Sequence, residues 1–328
     1  MKKWSVTISA LTLCLASVTQ AKVPTASVSQ GPTQRAGVSG DIAINAFVFD
    51  TKNNLSTSSD SRIESLDQAA PSKQKVFVAP LGNVRYTFGR QRHQQVYLGT
   101  AREDVAVGNL ALQLGYRYTF SNGVVSDISI LPTVLSGEVW RDPYKEGVSR
   151  SKTDEHGIAY RFQLNRLFGF LGLDMAYARN DIDHDDLAGT ALARDADTYT
   201  IKASTRFPVS RGLFIAPSLR YLRHNADGDA ASFDEYRLSV SGFQMWQRQK
   251  LGLTLDYAKQ DYRATNPIFS KKRHNNVVSL FAVYEYEQPF GWQNWSAVGL
   301  AGYEHNDANI RFYDVRQGMI SAGLNYKF

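Results

Sequence analysis

The sequence predicts an all-β fold: a transmembrane antiparallel β-barrel of about 14 strands, with short turns at one end and longer loops at the other. Three observations predict it. The chain closes on Ile320, Ala322, Leu324, Tyr326 and Phe328, interleaved with Ser321, Gly323, Asn325 and Lys327, and this period of two gives a strand one apolar and one polar face. Connectors along the chain alternate between short and long. Aromatic residues gather at both strand ends. A terminal strand with an exposed apolar face is inverted relative to a soluble sheet and suits a barrel wall in lipid around a wet interior.

The elements follow in order. Strands are expected at 40–50, 75–88, 94–102, 109–120, 124–140, 157–167, 170–180, 197–208, 213–224, 234–247, 251–263, 275–287, 295–305 and 315–328. The fourth alternates Leu110, Leu112, Leu114, Tyr116, Tyr118 and Phe120, and Ser121-Asn122-Gly123 after it is a hairpin turn. Connectors near 89–93, 121–123, 168–169, 209–212, 248–250 and 288–294 are short. Those near 51–74, 141–156, 181–196, 225–233, 264–274 and 306–314 are longer and polar, and only 103–108 on that side is brief. Phe88, Phe120, Phe168, Phe207, Trp246, Phe290, Trp292 and Phe328 mark the short-turn ends. Trp140, Tyr144, Tyr177, Tyr221, Tyr257, Tyr303, Phe312 and Tyr313 mark the long-loop ends. Two such bands fit girdles at the two membrane interfaces.

Residues 1–21 read as a secretory signal peptide, with Lys2 and Lys3 before the apolar stretch Trp4–Val18 and a cleavage position after Ala21. Residues 22–38 form a short periplasmic arm, and 39–328 the barrel. The only cysteine, Cys14, lies in the signal segment behind Leu13, which is too large for a lipoprotein signal, so the mature chain has neither a disulfide nor a reactive thiol. The formal charge of +6 falls to about +4 without Lys2 and Lys3, too small an excess to point to nucleic acid.

Alternation assigns an inward set: the cations Arg85, Arg117, Arg161, Lys202, Arg206, Arg237 and Lys327, and the acids Asp127, Asp174, Asp256, Glu285 and Glu287. These are the candidate pore-lining residues. Two readings stand side by side: a basic arc that gives a mild anion preference, or cross-strand ion pairs that fill the lumen. Ser270 with His274, and Ser151 with His156, are the nearest candidates for a catalytic pair at the outer rim, but solvated loop residues are the better reading and no enzyme is expected. Asn180 to Asp186 has the alternating oxygens of a calcium loop, yet Asp186 stands where glycine is required and Leu192 where a bidentate glutamate is required. No metal or cofactor is expected.

Leu324, Tyr326 and Phe328 resemble the C-terminal signature by which the barrel-assembly machinery of Gram-negative bacteria addresses outer-membrane barrels. Four segments carry a second resemblance: Glu138-Val-Trp-Arg-Asp-Pro-Tyr144, Thr265-Asn-Pro-Ile-Phe269, Pro289-Phe-Gly-Trp292 with Trp295-Ser296, and Asn309-Ile-Arg-Phe-Tyr-Asp314. In this order they resemble an uncharacterised family of Vibrio-like gammaproteobacterial outer-membrane proteins catalogued as a domain of unknown function. The resemblance implies the barrel and an outer-membrane location and supplies no ligand or catalytic residue.

The expectation is a porin-like channel in the outer membrane for passive diffusion of small hydrophilic solutes, narrowed by inward Arg and Lys and by the loop 51–74. The alternative is a closed barrel presenting its loops for binding; an outer-membrane hydrolase ranks third. Outer-membrane lipid, lipopolysaccharide and the assembly machinery are the expected partners.

Overall fold

The computed structural model describes residues 36–100, 111–132 and 137–328. The signal segment 1–21, nearly all of the arm 22–38 and the brief connector 103–108 lie outside the described residues. Sixteen strand segments form the wall: β1 (Gly37–Lys52), β2 (Lys73–Phe88), β3 (Gln94–Thr100), β4 (Leu112–Thr119), β5 (Val125–Pro132), β6 (Gly137–Trp140), β7 (Lys152–Leu167), β8 (Leu171–Ile182), β9 (Ala196–Thr205), β10 (Phe207–Ser210), β11 (Leu213–Ala226), β12 (Phe233–Met245), β13 (Gln249–Asn266), β14 (Lys271–Glu287), β15 (Trp295–Ala308) and β16 (Val315–Lys327). β5 and β6 both pair with β7, and β9 and β10 both pair with β11, so each couple occupies one position in the ring. The result is a closed antiparallel barrel of 14 strand positions.

Closure falls between β1 and β16, which pair from Asp41 opposite Lys327 to Lys52 opposite Arg316. Gly40 and Phe328 exchange backbone hydrogen bonds of 2.9 and 3.0 Å at the end of this seam. Leu324, Tyr326 and Phe328 point outward and are exposed, as the alternation requires. The same inversion runs round the ring. Ile44, Val76 and Ile320 are more than 60% exposed on the outer face, whereas the inward Asn45, Glu235 and Ala258 are fully buried. No helix among the described residues is long and apolar enough to cross a membrane, and the belt of outward aliphatic side chains is the surface that lipid covers.

Tyrosines form the girdle at the long-loop ends. Tyr160 and Tyr177 stack at 6.4 Å, Tyr177 and Tyr199 lie 5.2 Å apart, and Tyr221 and Tyr236 5.1 Å apart. The hydroxyls of Tyr177 and Tyr221 donate to Asp197 and Asp234, each at 2.7 Å. Such a side chain places its ring in the apolar layer and its hydroxyl in the polar one. Trp140, Tyr144, Phe312 and Tyr313, expected in this girdle, are instead withdrawn from the lipid side and packed among the loops, Trp140 and Phe312 almost completely buried. Their neighbours are loop side chains, which bury more ring surface than a lipid interface would.

The interior departs from a uniformly polar lumen. Phe47, Phe281, Leu300 and Met319 form a buried cluster on β1, β14, β15 and β16, extended by Phe49, Phe77 and Leu81. Phe47 and Phe49 stack on Phe77 at 5.2 and 5.5 Å. One side of the lumen is therefore built like a soluble core. On the other side, the Tyr97 hydroxyl reaches from β3 across Gly115 of β4 to the Asp127 carboxylate of β5 at 2.5 Å. A Cβ on Gly115 would overlap the Tyr97 ring. Replacing Gly115 with alanine should therefore displace Tyr97 and lower stability by about 1–3 kcal/mol, the usual cost of overpacking. A urea titration of the refolded protein in detergent, followed by the loss of heat-modifiable migration, checks this.

Candidate functional site: the lumen and its lid

The charged side of the lumen follows one row of directly opposed positions. Arg117, Asp127, Gln163, Asp174, Lys202, Arg220 and Arg237 are successive cross-strand partners on β4, β5, β7, β8, β9, β11 and β12. The pleat sends alternate side chains inward, so one inward position per strand lines up into a hoop. Arg117 pairs with Asp127 at 2.8 Å. Arg161 forks onto Asp174 at 3.0 and 2.8 Å, and Gln163 joins the same carboxylate at 3.2 Å.

Lys202, Arg220 and Arg237 place three like charges opposite one another, an arrangement that is unfavourable by itself. Glu235, on the same face of β12 as Arg237, compensates it. It bonds Arg220 and accepts from Arg237 Nε at 3.0 Å and Gln260 Nε2 at 2.8 Å. The buried Lys202 stands directly opposite Asp174.

Near the short-turn end Lys327 bridges Glu285 and Glu287, each at 2.7 Å, and Lys250 reaches Glu287 at 2.7 Å. Asp256 accepts from Ser279 at 2.9 Å, Arg85 donates to Ser39 at 3.0 Å, and Arg206 lies over the Phe214 ring at 5.6 Å. Of the sequence-derived inward set, Arg117, Asp127, Arg161, Asp174, Arg237, Glu285, Glu287 and Lys327 are held in ion pairs, whereas Arg85 and Asp256 meet hydroxyls and Arg206 a ring. Arg220 and Glu235, at the centre of the hoop, were outside that set. Their signal was present: Arg220 lies between the outward Leu219 and Tyr221, and Glu235 precedes the outward Tyr236, two residues from Arg237 on the same face.

Above the hoop the long loops close over the mouth. Loop 53–72 follows β1, loop 141–151 follows β6, and segments 267–270 and 309–314 follow β13 and β15. Tyr144 from the second meets Tyr313 from the last, hydroxyl to hydroxyl at 2.7 Å, and Asn266 Nδ2 donates to Tyr313 at 2.7 Å. Tyr144 also packs on Phe269 and Phe312 at 6.2 and 5.2 Å. Leu55, Ile63 and Leu66 of the first loop pack on the same cluster. β6 and β15 lie about half-way round the ring from each other, so these contacts bridge the opening. Burial raises the Tyr144 hydroxyl well above the usual tyrosine value and raises that of Tyr313, which keeps both as neutral hydrogen-bonding groups.

Arg150 fastens loop 53–72 to this bridge. Its Nη1 donates to the carbonyls of Asn54 and Pro143 at 2.8 and 3.1 Å, and its Nη2 to that of Asp60 at 2.5 Å. The guanidinium stacks over Trp140 at 4.3 Å, and Trp140 Nε1 donates to Ser56 O at 3.2 Å. Burial lowers the Arg150 pKa to about 10, which still leaves it charged at neutral pH.

The acidic stretch around residues 180–186 is tied by bases. Asp186 takes Lys145 at 3.0 Å and Arg141 at 2.7 Å, and Asp185 takes Arg194 at 2.6 Å. Among the described residues no three His, Cys, Asp or Glu side chains are grouped to hold a metal ion. His156 faces Asp183 at 3.5 Å, and the backbone N–H of His274 donates to Asn309 Oδ1 at 2.9 Å.

Two outcomes follow from these charges. Hydrogen bonding to Lys145 and Arg141, with their charges, holds Asp186 below the usual carboxylate range. The tie between loops 141–151 and 183–195 is therefore fully present above the free aspartate pKa and is lost as pH falls through the depressed value. An NMR titration of Asp186 should give a midpoint below about 3.9. Replacing Glu235 with leucine leaves Arg220 and Arg237 buried without their shared carboxylate and should destabilise the barrel by about 3–5 kcal/mol, measured as a lower urea midpoint.

A family model described as "Protein of unknown function (DUF2860)" matches residues 37–327. No curated protein matches the chain. Among solved structures, it is similar to a FadL homologue of Pseudomonas aeruginosa at 10% identity, covering 88% of this chain and 90% of that one with a TM-score of 0.42. An anion-selective porin from Comamonas acidovorans gives 11% identity, 90% and 100% coverage and a TM-score of 0.42. A CymD monoaromatic hydrocarbon channel gives 10% identity, 90% and 89% coverage and a TM-score of 0.48.

Proposed function

The chain belongs to the DUF2860 family of proteins of unknown function, and on that premise we propose that it is an outer-membrane barrel of a Gram-negative bacterium, held shut by its own loops and presenting them at the cell surface. The observation that carries this reading is the bridge over the mouth, in which Tyr144 meets Tyr313 from across the ring and Arg150 holds loop 53–72 to it. Paired charges and an apolar wall beneath the lid support it further, since neither offers a continuous wet path. The protein acts as a binding surface and not as an enzyme. Its surroundings are lipid and lipopolysaccharide, reached through the assembly machinery that reads Leu324, Tyr326 and Phe328.

A second reading keeps a channel for small hydrophilic solutes behind the lid. It is favoured by buried polar atoms in the charged half of the lumen that bond no other protein group, among them Arg220 Nε and Nη1, Asp256 Oδ1 and Ser129 Oγ. Such atoms call for water.

Conductance of the refolded mature protein in a planar bilayer separates the two. The wild type should be silent. Arg150→Ala removes four bonds to loop carbonyls, three of them in loop 53–72, and frees that loop. A variant that also stays silent supports the closed surface protein, and one that opens in steps supports the gated channel. Steady conductance of the wild type would overturn both.

A further inference from the structure

The turns at one end of the barrel lack acidic side chains. At the short-turn end, segments 89–93, 120–124, 165–170, 206–212, 246–249 and 288–294 contain no Asp or Glu. Four of them carry arginines, of which Arg90, Arg92, Arg166, Arg211 and Arg248 are exposed at the tips; 120–124 and 288–294 carry none. The other end is mixed: loops 53–72, 183–195 and 227–232 hold more acids than bases, whereas 141–151 and 264–274 hold more bases than acids.

Aromatic side chains stand at the same end, Phe168 and Trp246 on turns that carry an arginine and Phe290 and Trp292 on one that does not. Phe168 and Phe290 are 85% and 88% exposed at turn tips, and Trp246 and Trp292 are about half exposed. Phe168 and Phe290 keep left-handed backbone conformations, with φ of 51° and 56°. A bulky residue in that conformation is uncommon, and the turn holds it where the ring projects beyond the wall. Arg166 lies two residues from Phe168, and Arg248 two residues from Trp246, so cation and ring occupy the same level.

We propose that this rim binds the headgroups of anionic glycerophospholipids. The rings lie in the interfacial layer, where aromatic side chains partition. The guanidinium groups beside them meet phosphodiester oxygens in the paired geometry that arginine, and not lysine, presents. The absence of carboxylates from all six turns removes local competitors for those arginines. An acidic soluble partner would account for the charge but not for the protruding phenylalanines. The proposal rests on the membrane placement given above. With the short turns in the periplasm, the lipid is that of the inner leaflet.

The test uses full-length mature protein in detergent micelles, where orientation plays no part, so its failure is separate from failure of the placement. The protein is titrated with equimolar dioleoylphosphatidylglycerol and dioleoylphosphatidylcholine, and retained lipid is counted by native mass spectrometry. The wild type should retain the anionic lipid about fivefold over the zwitterionic one, and the preference should fall towards unity at about 0.5 M NaCl, where the screening length is short. The combined variant R90Q/R92Q/R166Q/R211Q/R248Q should lose the preference while keeping heat-modifiable migration. Equal retention of both lipids by the wild type overturns the proposal. So does a preference that survives the five substitutions or the salt. Should the variant fail to fold, the salt arm on the wild type decides alone.

Discussion

A strand in lipid has no water to satisfy its backbone, so every N–H and C=O along the wall must find a partner strand. That requirement makes the seam between β1 and β16 the contact on which the rest depends. Its long register, ended by the exchange between Gly40 and Phe328, turns an open sheet into a ring. Once the ring is closed, the pleat sorts side chains without further instruction: even positions of β1 meet lipid and odd positions meet the lumen. The hoop of opposed charges and the aromatic patch opposite it are both consequences of register, because a slip by one residue would move each to the lipid side.

The interior so formed has two halves that solve burial differently. Phe47, Phe77, Phe281 and Met319 fill space by packing. Arg161 with Asp174, and Glu235 with its two arginines, fill it by pairing. Pairing is demanding, since a buried ion must have its counter-ion and its remaining donors satisfied. The free donors on Arg220 mark where the protein's own groups run out. The lid relies on both solutions, packing aromatic rings and directing Arg150 at carbonyl oxygens.

Most of the wall was legible in the sequence because alternation is a local signal. The fourth expected strand, with Leu114 and Tyr116 outward and Arg117 opposite Asp127, is present as β4. Cross-strand pairing of the inward charges was one of two readings, but which groups pair was not legible, because register between strands depends on the whole ring and no single strand encodes it. Arg220 and Glu235 could have been read from the same alternation that located Arg237. The inward phenylalanines were hidden by β1 itself, where Phe47, Val48 and Phe49 follow one another without a polar break. Tyr144 and Tyr313 lie 169 residues apart and meet only because the loops cross the mouth; proximity to a strand end gave them a girdle role that packing overrode.

Arg150 holds the first loop through the carbonyls of Asn54 and Asp60 and stacks on Trp140. A carbonyl is the same whatever side chain its residue bears. The outermost side chains of that loop can therefore change freely while its path stays fixed. The protein can alter the face it shows without redesigning the frame that carries it.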